Sequence, residues 1–338
     1  MKLTCLKNII KNNKLTLLLA VGAVTGFFNG CSTSGVLLDH DDQKNRSIAY
    51  ARAAEPFAMM SALAYATNGT DKNDLAQRKD LAAHLEASGW HQDCTGRFSP
   101  TANAKNVGLH YDVWINEVQH PAIIVIAARG TELKDWRDWW SNAWWLTRWL
   151  SNSNQYRVIA LPTEAGRVFS TYEKEIASNK VVVITTGHSL GGGIAQCLRY
   201  AYQKQVSQCY AFDPSPVTGY MDNHGRSKAE GVQNRKSYME SMPILGFPAH
   251  RTLRIYEKGE ILASFRGFMR GLYAVDDKIL EVRFKFDPHF KPVAQHSMML
   301  LAEKIFNSAN PTNQMAQPDL NQLNQYHPWW KSSADASK

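Results

Sequence analysis

At 338 residues the chain is long enough for one large domain or two small ones, and its composition, 44% hydrophobic and 20% charged, is ordinary for a globular protein. The formal charge of +8 points to nucleic acid only until its position is read: Lys2, Lys7, Lys11 and Lys14 fall in the first 30 residues with no acid among them, leaving 34 basic against 30 acidic residues and no dense Lys/Arg run. A nucleic-acid footprint is therefore not expected.

Residues 1–30 have the form of a secretory signal: a lysine-bearing n-region, then an apolar stretch over 15–28 that is too short for a comfortable membrane span. Phe28-Asn29-Gly30-Cys31 follows, and a small residue directly before a cysteine resembles the lipobox of bacterial lipoproteins, with Phe28 standing where Leu is usual. That resemblance implies lipid on Cys31, Ser32 as an outer-membrane sorting residue and a place in the bacterial cell envelope; plain secretion or a periplasmic location is the alternative. Residues 31–45 are polar and read as a tether.

Apolar residues at helical spacing predict a helix over 46–67, with Pro56 as a candidate break, and a second over 75–88 closed by Gly89. Residues 107–116 alternate as an exposed strand does, and 122–128 are apolar throughout, as in a central strand. A helix is expected over 164–178, strands over 181–186, 208–212 and 251–256, a strand pair over 274–286 around Asp276-Asp277, and a terminal helix over 296–308. Residues 309–338 are a polar tail with Trp329 and Trp330 as its anchor. Strands alternating with helices predict one α/β domain over 46–308, a mostly parallel central sheet with helices on both faces. Cys94, Cys197 and Cys209 remain after the leader and Cys31; Cys197 and Cys209 either pair in an oxidising compartment or stay as buried thiols.

The chemistry concentrates at Gly187-His188-Ser189-Leu190-Gly191. This is G-x-S-x-G between an apolar strand and a helical run, the context of a nucleophile elbow. The turn is tight, so small residues must flank the serine; Gly187 and Gly191 supply them, and Gly192 and Gly193 let the helix pack close to the strand. A serine hydroxyl is a poor nucleophile at neutral pH and needs a base to take its proton and an acid to orient that base. No His-x-x-x-His pair, cysteine cluster or phosphate-binding glycine loop occurs, so neither a metal nor a cofactor is expected.

Together with Ala128-Arg129-Gly130-Thr131 about sixty residues earlier and Phe212-Asp213-Pro214-Ser215-Pro216-Val217 downstream, the elbow resembles the class 3, or fungal-type, lipases of the α/β-hydrolase fold over residues 46–308. Asp213 stands where that family's pattern has Gly, and Ala128 where it has an aromatic. The resemblance implies an α/β-hydrolase fold with the order Ser, acid, His along the chain. Ser189 would be the nucleophile and His296, opening the last helix, the base, with His289 as runner-up. Glu260, in the loop after the 251–256 strand, best matches the acid position, ahead of Asp213, Glu257 and Asp276. The Leu190 N–H and Thr131 would hold the oxyanion.

Trp136, Trp140 and Trp144 repeat at i, i+4, with Trp139, Trp145 and Trp149 beside them and charged or polar residues between. Trp favours the lipid–water boundary, and the family's lid lies at this place in the chain. The expectation is a lid or acyl-binding segment; the alternative is an aromatic stripe packed on the core. The resulting reading is a serine hydrolase of lipid or phospholipid esters at a membrane surface. An acyltransferase or small-ester esterase with the same triad, and a non-catalytic lipid-binding lipoprotein, are the competing readings.

Overall fold

A computed structural model of the chain describes residues 36–38, 44–65, 72–130, 155–215, 218, 252–260, 262, 279–286 and 296–310. Among these residues the strands are β1 (Val36–Leu38), β2 (His91–Gln92), β3 (Tyr111–Asn116), β4 (Ala122–Ala128), β5 (Val181–His188), β6 (Val206–Phe212), β7 (Thr252–Glu257) and β8 (Ile279–Phe284). They form one sheet in the order β1-β8-β7-β6-β5-β4-β3-β2. The pairs from β4 through β8 and β1 are parallel, while β3 pairs antiparallel with β4 and β2 antiparallel with β3.

The β4 sequence has no polar alternation because both of its faces are covered. Ile123, Val125 and Ala127 enter one core with Val182 and Ile184 of β5. Ile124, Ile126 and Ala128 enter a second with Val181 and Val183. The first core is closed by α1 (Lys44–Leu63) and α8 (Met298–Ala309), which pack on each other, with α2 (Lys72–Ala87) beside α1. The second is closed by α4 (Gln155–Ile159), α5 (Ala165–Thr171) and α7 (Leu190–Ala201), and takes in Ala104 of the short α3 (Ala102–Asn106). The architecture is thus α/β, a mostly parallel sheet between helical layers.

Local chemistry sets the ends of these elements. Ala49, Ala51, Ala53, Ala54, Ala58 and Ala62 make α1 a strong helix former, and it runs through Pro56 without ending there. Gly89, at φ 83°, terminates the second helix: its N–H reaches Glu86 O at 2.9 Å and the Trp90 N–H reaches Leu85 O at 2.9 Å. A Cβ at Gly89 would also stand 2.9 Å from Val118 Cγ2. Ser297 caps α8 by accepting from the Leu300 N–H.

Three expectations change, and a fourth is described only in part. Residues 36–38, inside the expected tether, form an edge strand, Val36 pairing with Val282 in parallel. The single helix over 164–178 is two, α5 and α6 (Glu173–Ala177), separated at Tyr172 with φ −110° and ψ 23°. The 107–116 strand, expected to be exposed, begins at Tyr111 and is largely buried, because the second core covers one face and Trp114 packs in the first. Of the strand pair over 274–286, Ile279–Phe284 is one strand; residues 263–278 lie outside the described residues. Cys197 and Cys209 are both buried and not joined in a disulfide, and Cys94 is an exposed thiol. No helix among the described residues is long and apolar enough to cross a membrane.

Candidate active site

The site is built at the C-terminal ends of β4 to β7. Ser189 lies between β5 and α7 with φ 55° and ψ −120°. A non-glycine residue there is strained, on the order of 1–3 kcal/mol, so its surroundings must hold it. They do so through three backbone hydrogen bonds. The Ser189 N–H donates to Phe212 O at 3.0 Å, and its carbonyl accepts from the Gly193 N–H at 3.2 Å and the Ser215 N–H at 2.8 Å. The turn is also closed sterically: a Cβ on Gly187 would stand 2.7 Å from Ala128 O, one on Gly191 2.8 Å from Arg129 C, and one on Gly192 3.0 Å from Pro214 Cβ. The glycines therefore let α7 approach the ends of β4 and β6 at backbone contact.

Ser is a favoured helix N-cap, yet Ser189 makes no side-chain cap bond to α7. Its Oγ is instead 3.1 Å from His296 Nε2, and His296 Nδ1 is 2.9 Å from Glu260 Oε2. Glu260 Oε2 also accepts the Leu262 N–H at 2.7 Å, which fixes the carboxylate. His296 and Glu260 are buried, 7% and 2% exposed, so the dyad is shielded from water. With the Nδ1 proton held on Glu260, Nε2 is the acceptor that faces the serine hydroxyl. Such a chain can withdraw the serine proton and stabilise the imidazolium that results.

The other acids weighed for this role are placed elsewhere. Glu257 is bound by Lys304 Nζ at 3.2 and 3.0 Å. Asp213 is fully buried, with φ 39°, its N–H on Ile255 O at 2.8 Å and its Oδ2 3.8 Å from His188 Nε2. Asp276 and His289 lie outside the described residues, as do Thr131, Cys31, and Trp136, Trp139, Trp140, Trp144, Trp145 and Trp149. Leu190 is the first residue of α7, so its N–H is one of the first-turn amides without an intrahelical acceptor, directly beside the serine. β4 leads toward the same place, since a Cβ on Gly130 would meet the Tyr65 hydroxyl and the His188 carbonyl.

Two residues at the site carried no sequence signal for their placement. The Tyr65 hydroxyl, just past α1, shares a 2.6 Å hydrogen bond with His188 Nδ1. The His188 ring lies 4.7 Å from that of His296, centroid to centroid, at 44°. His188, Asp213 and His296 thus form a buried group in which one ring nitrogen of each histidine and one Asp213 oxygen all lie within 4.8 Å of one another. The residues are distant in sequence and only the β5, β6 and post-β8 chain ends bring them together.

No protein-family model matches the chain and no curated protein matches it. Among solved structures, a mutant form of MDLA from Penicillium cyclopium is similar with a TM-score of 0.34 and 13% identity, over 66% of this chain and 73% of that one.

Proposed function

We propose that the chain is a serine ester hydrolase of the α/β-hydrolase type, akin to the class 3 lipases, acting on acyl esters of lipids through an acyl-enzyme on Ser189. The observation that carries the reading is the hydrogen-bonded series Glu260–His296–Ser189, with its serine held at positive φ and diverted from capping. In the reaction His296 Nε2 takes the hydroxyl proton as Oγ attacks the ester carbonyl. The Leu190 N–H and Thr131 receive the developing oxyanion, a type of contact whose loss commonly costs ~2.7–4 kcal/mol of barrier. His296 then returns the proton to the departing alcohol, and water, activated in the same way, releases the acid and restores the serine. The lipid preference rests on the tryptophan-rich segment after β4 and the lipobox-like Cys31.

The test is covalent labelling of residues 32–338 with a fluorophosphonate in detergent, read by peptide mass. Label on Ser189 that is lost in His296→Ala is the expected result. A folded protein that takes no label under those conditions would overturn the reading.

A further inference from the structure

We infer that His188, Asp213 and His296 form an inhibitory binding site for a divalent zinc-like ion, set against the nucleophile; the inhibitory part of this inference rests on the proposed hydrolase reading, and the binding part does not. The donors come first. Two imidazoles and one carboxylate are the set that borderline ions such as Zn2+ take, with the fourth position open. Here one nitrogen from each histidine and one Asp213 oxygen lie within 4.8 Å of one another, all on buried residues. Bonds of about 2.0–2.2 Å to a common ion need donor separations of roughly 3–3.5 Å. His188 Nε2 and Asp213 Oδ2 are 3.8 Å apart, close to that separation, and the set as a whole, within 4.8 Å, must contract to hold the ion.

The surrounding shell is also that of a metal site. A ligating histidine is normally fixed by a hydrogen bond at its other ring nitrogen. His188 Nδ1 has one to the Tyr65 hydroxyl at 2.6 Å, and His296 Nδ1 has one to Glu260 at 2.9 Å. Each ring is therefore held at Nδ1, which leaves Nε2 as the ligating nitrogen. Charge agrees as well: the Asp213 and Glu260 carboxylates together balance a dication in a region where all four residues are buried.

The consequence follows from His296 Nε2, which is 3.1 Å from Ser189 Oγ. A lone pair given to an ion cannot accept the serine proton. Ion and nucleophile activation are mutually exclusive, and removal of the ion by a chelator restores the base.

The experiment uses the EDTA-treated Ser189→Ala chain (residues 32–338), titrated with Zn2+ against a chromophoric chelator. One tight equivalent is expected, weakened tenfold or more in Asp213→Asn and in His188→Gln, each checked for fold by circular dichroism. X-ray absorption of the Ser189→Ala complex is expected to give nitrogen and oxygen neighbours only, at about 2.0–2.2 Å, which separates this site from the exposed Cys94 thiol. Absence of a bound equivalent, a sulfur neighbour, or binding unchanged in both folded variants overturns the site. In the native chain Zn2+ is expected to suppress fluorophosphonate labelling of Ser189, reversibly with EDTA. Zinc binding without any labelling of the metal-free chain would remove the hydrolase reading and leave the site; labelling that Zn2+ does not slow would remove the inhibition.

Discussion

Ser189 sits where a helix wants a cap, and its hydroxyl faces His296 instead, so the side chain serves the histidine while the backbone carbonyl still accepts from the Gly193 N–H of α7. The same economy applies to Glu260, whose Oε2 serves both His296 Nδ1 and the Leu262 N–H. Glu260→Gln keeps the volume and the acceptor but loses the charge that favours the imidazolium. On the proposed hydrolase reading, its kcat on an activated ester is expected to fall by about 10³–10⁴, as when the acid of a serine protease triad is made neutral, with KM nearly unchanged and the melting temperature retained. A loss confined to KM would place Glu260 in binding instead. The serine, the histidine and the glutamate were legible in the sequence because G-x-S-x-G fixes the first and the order of the resembled fold ranks the others. Tyr65 and the place of Asp213 against His188 were not, since neither periodicity nor spacing encodes which loop ends meet above a sheet.

At the scale of elements, α1 joins stability to the site. Phe57 stacks on Tyr210 with centroids 4.1 Å apart, Ser61 Oγ lies 2.9 Å from Thr186 Oγ1 on β5, and Tyr65 past the helix end holds His188. Phe57 is 1% exposed, so Phe57→Ala leaves a cavity and is expected to cost about 3–5 kcal/mol, read as a lower urea midpoint. A cost under ~1 kcal/mol would mean that α1 does not pack on the sheet in this way. The strongest patterns, the alanine-rich α1 and the continuous β4 and β5 runs, were readable because alanine favours helix and because burial on both faces leaves an unbroken apolar run. β1 has three residues, too few to show a period, and α5 and α6 read as one helix because the break at Tyr172 involves neither glycine nor proline.

In the whole molecule, the alternation of strands and helices already implied a parallel sheet, and a parallel sheet gathers chain reversals at the C-terminal ends of its strands, where Gly130, Ser189, Asp213 and Glu260 all fall. Its other edge turns antiparallel, and there β3 carries Asp112, paired in register with Ala127. Burial raises the Asp112 pKa to about 6 from 3.8, against the lowering effects of the Gln92 side-chain hydrogen bond and the Arg129 charge. The sign is the reverse of the usual carboxylate. The protonated form is favoured in the folded state, so Asp112 costs nothing below pH 4. Its cost grows as pH rises through the interval between the two values and is complete above pH 6 or so. At about 1.36 kcal/mol per unit, that is up to ~3 kcal/mol. Asp112→Asn keeps the side-chain size and removes the charge. It is therefore expected to raise the urea midpoint at pH 7.5 and to leave it nearly unchanged at pH 4, with the same m-value. An equal gain at both pH values would assign the effect to the amide's contacts, and a loss at pH 7.5 would mean that the attraction to Arg129 outweighs the cost of burial.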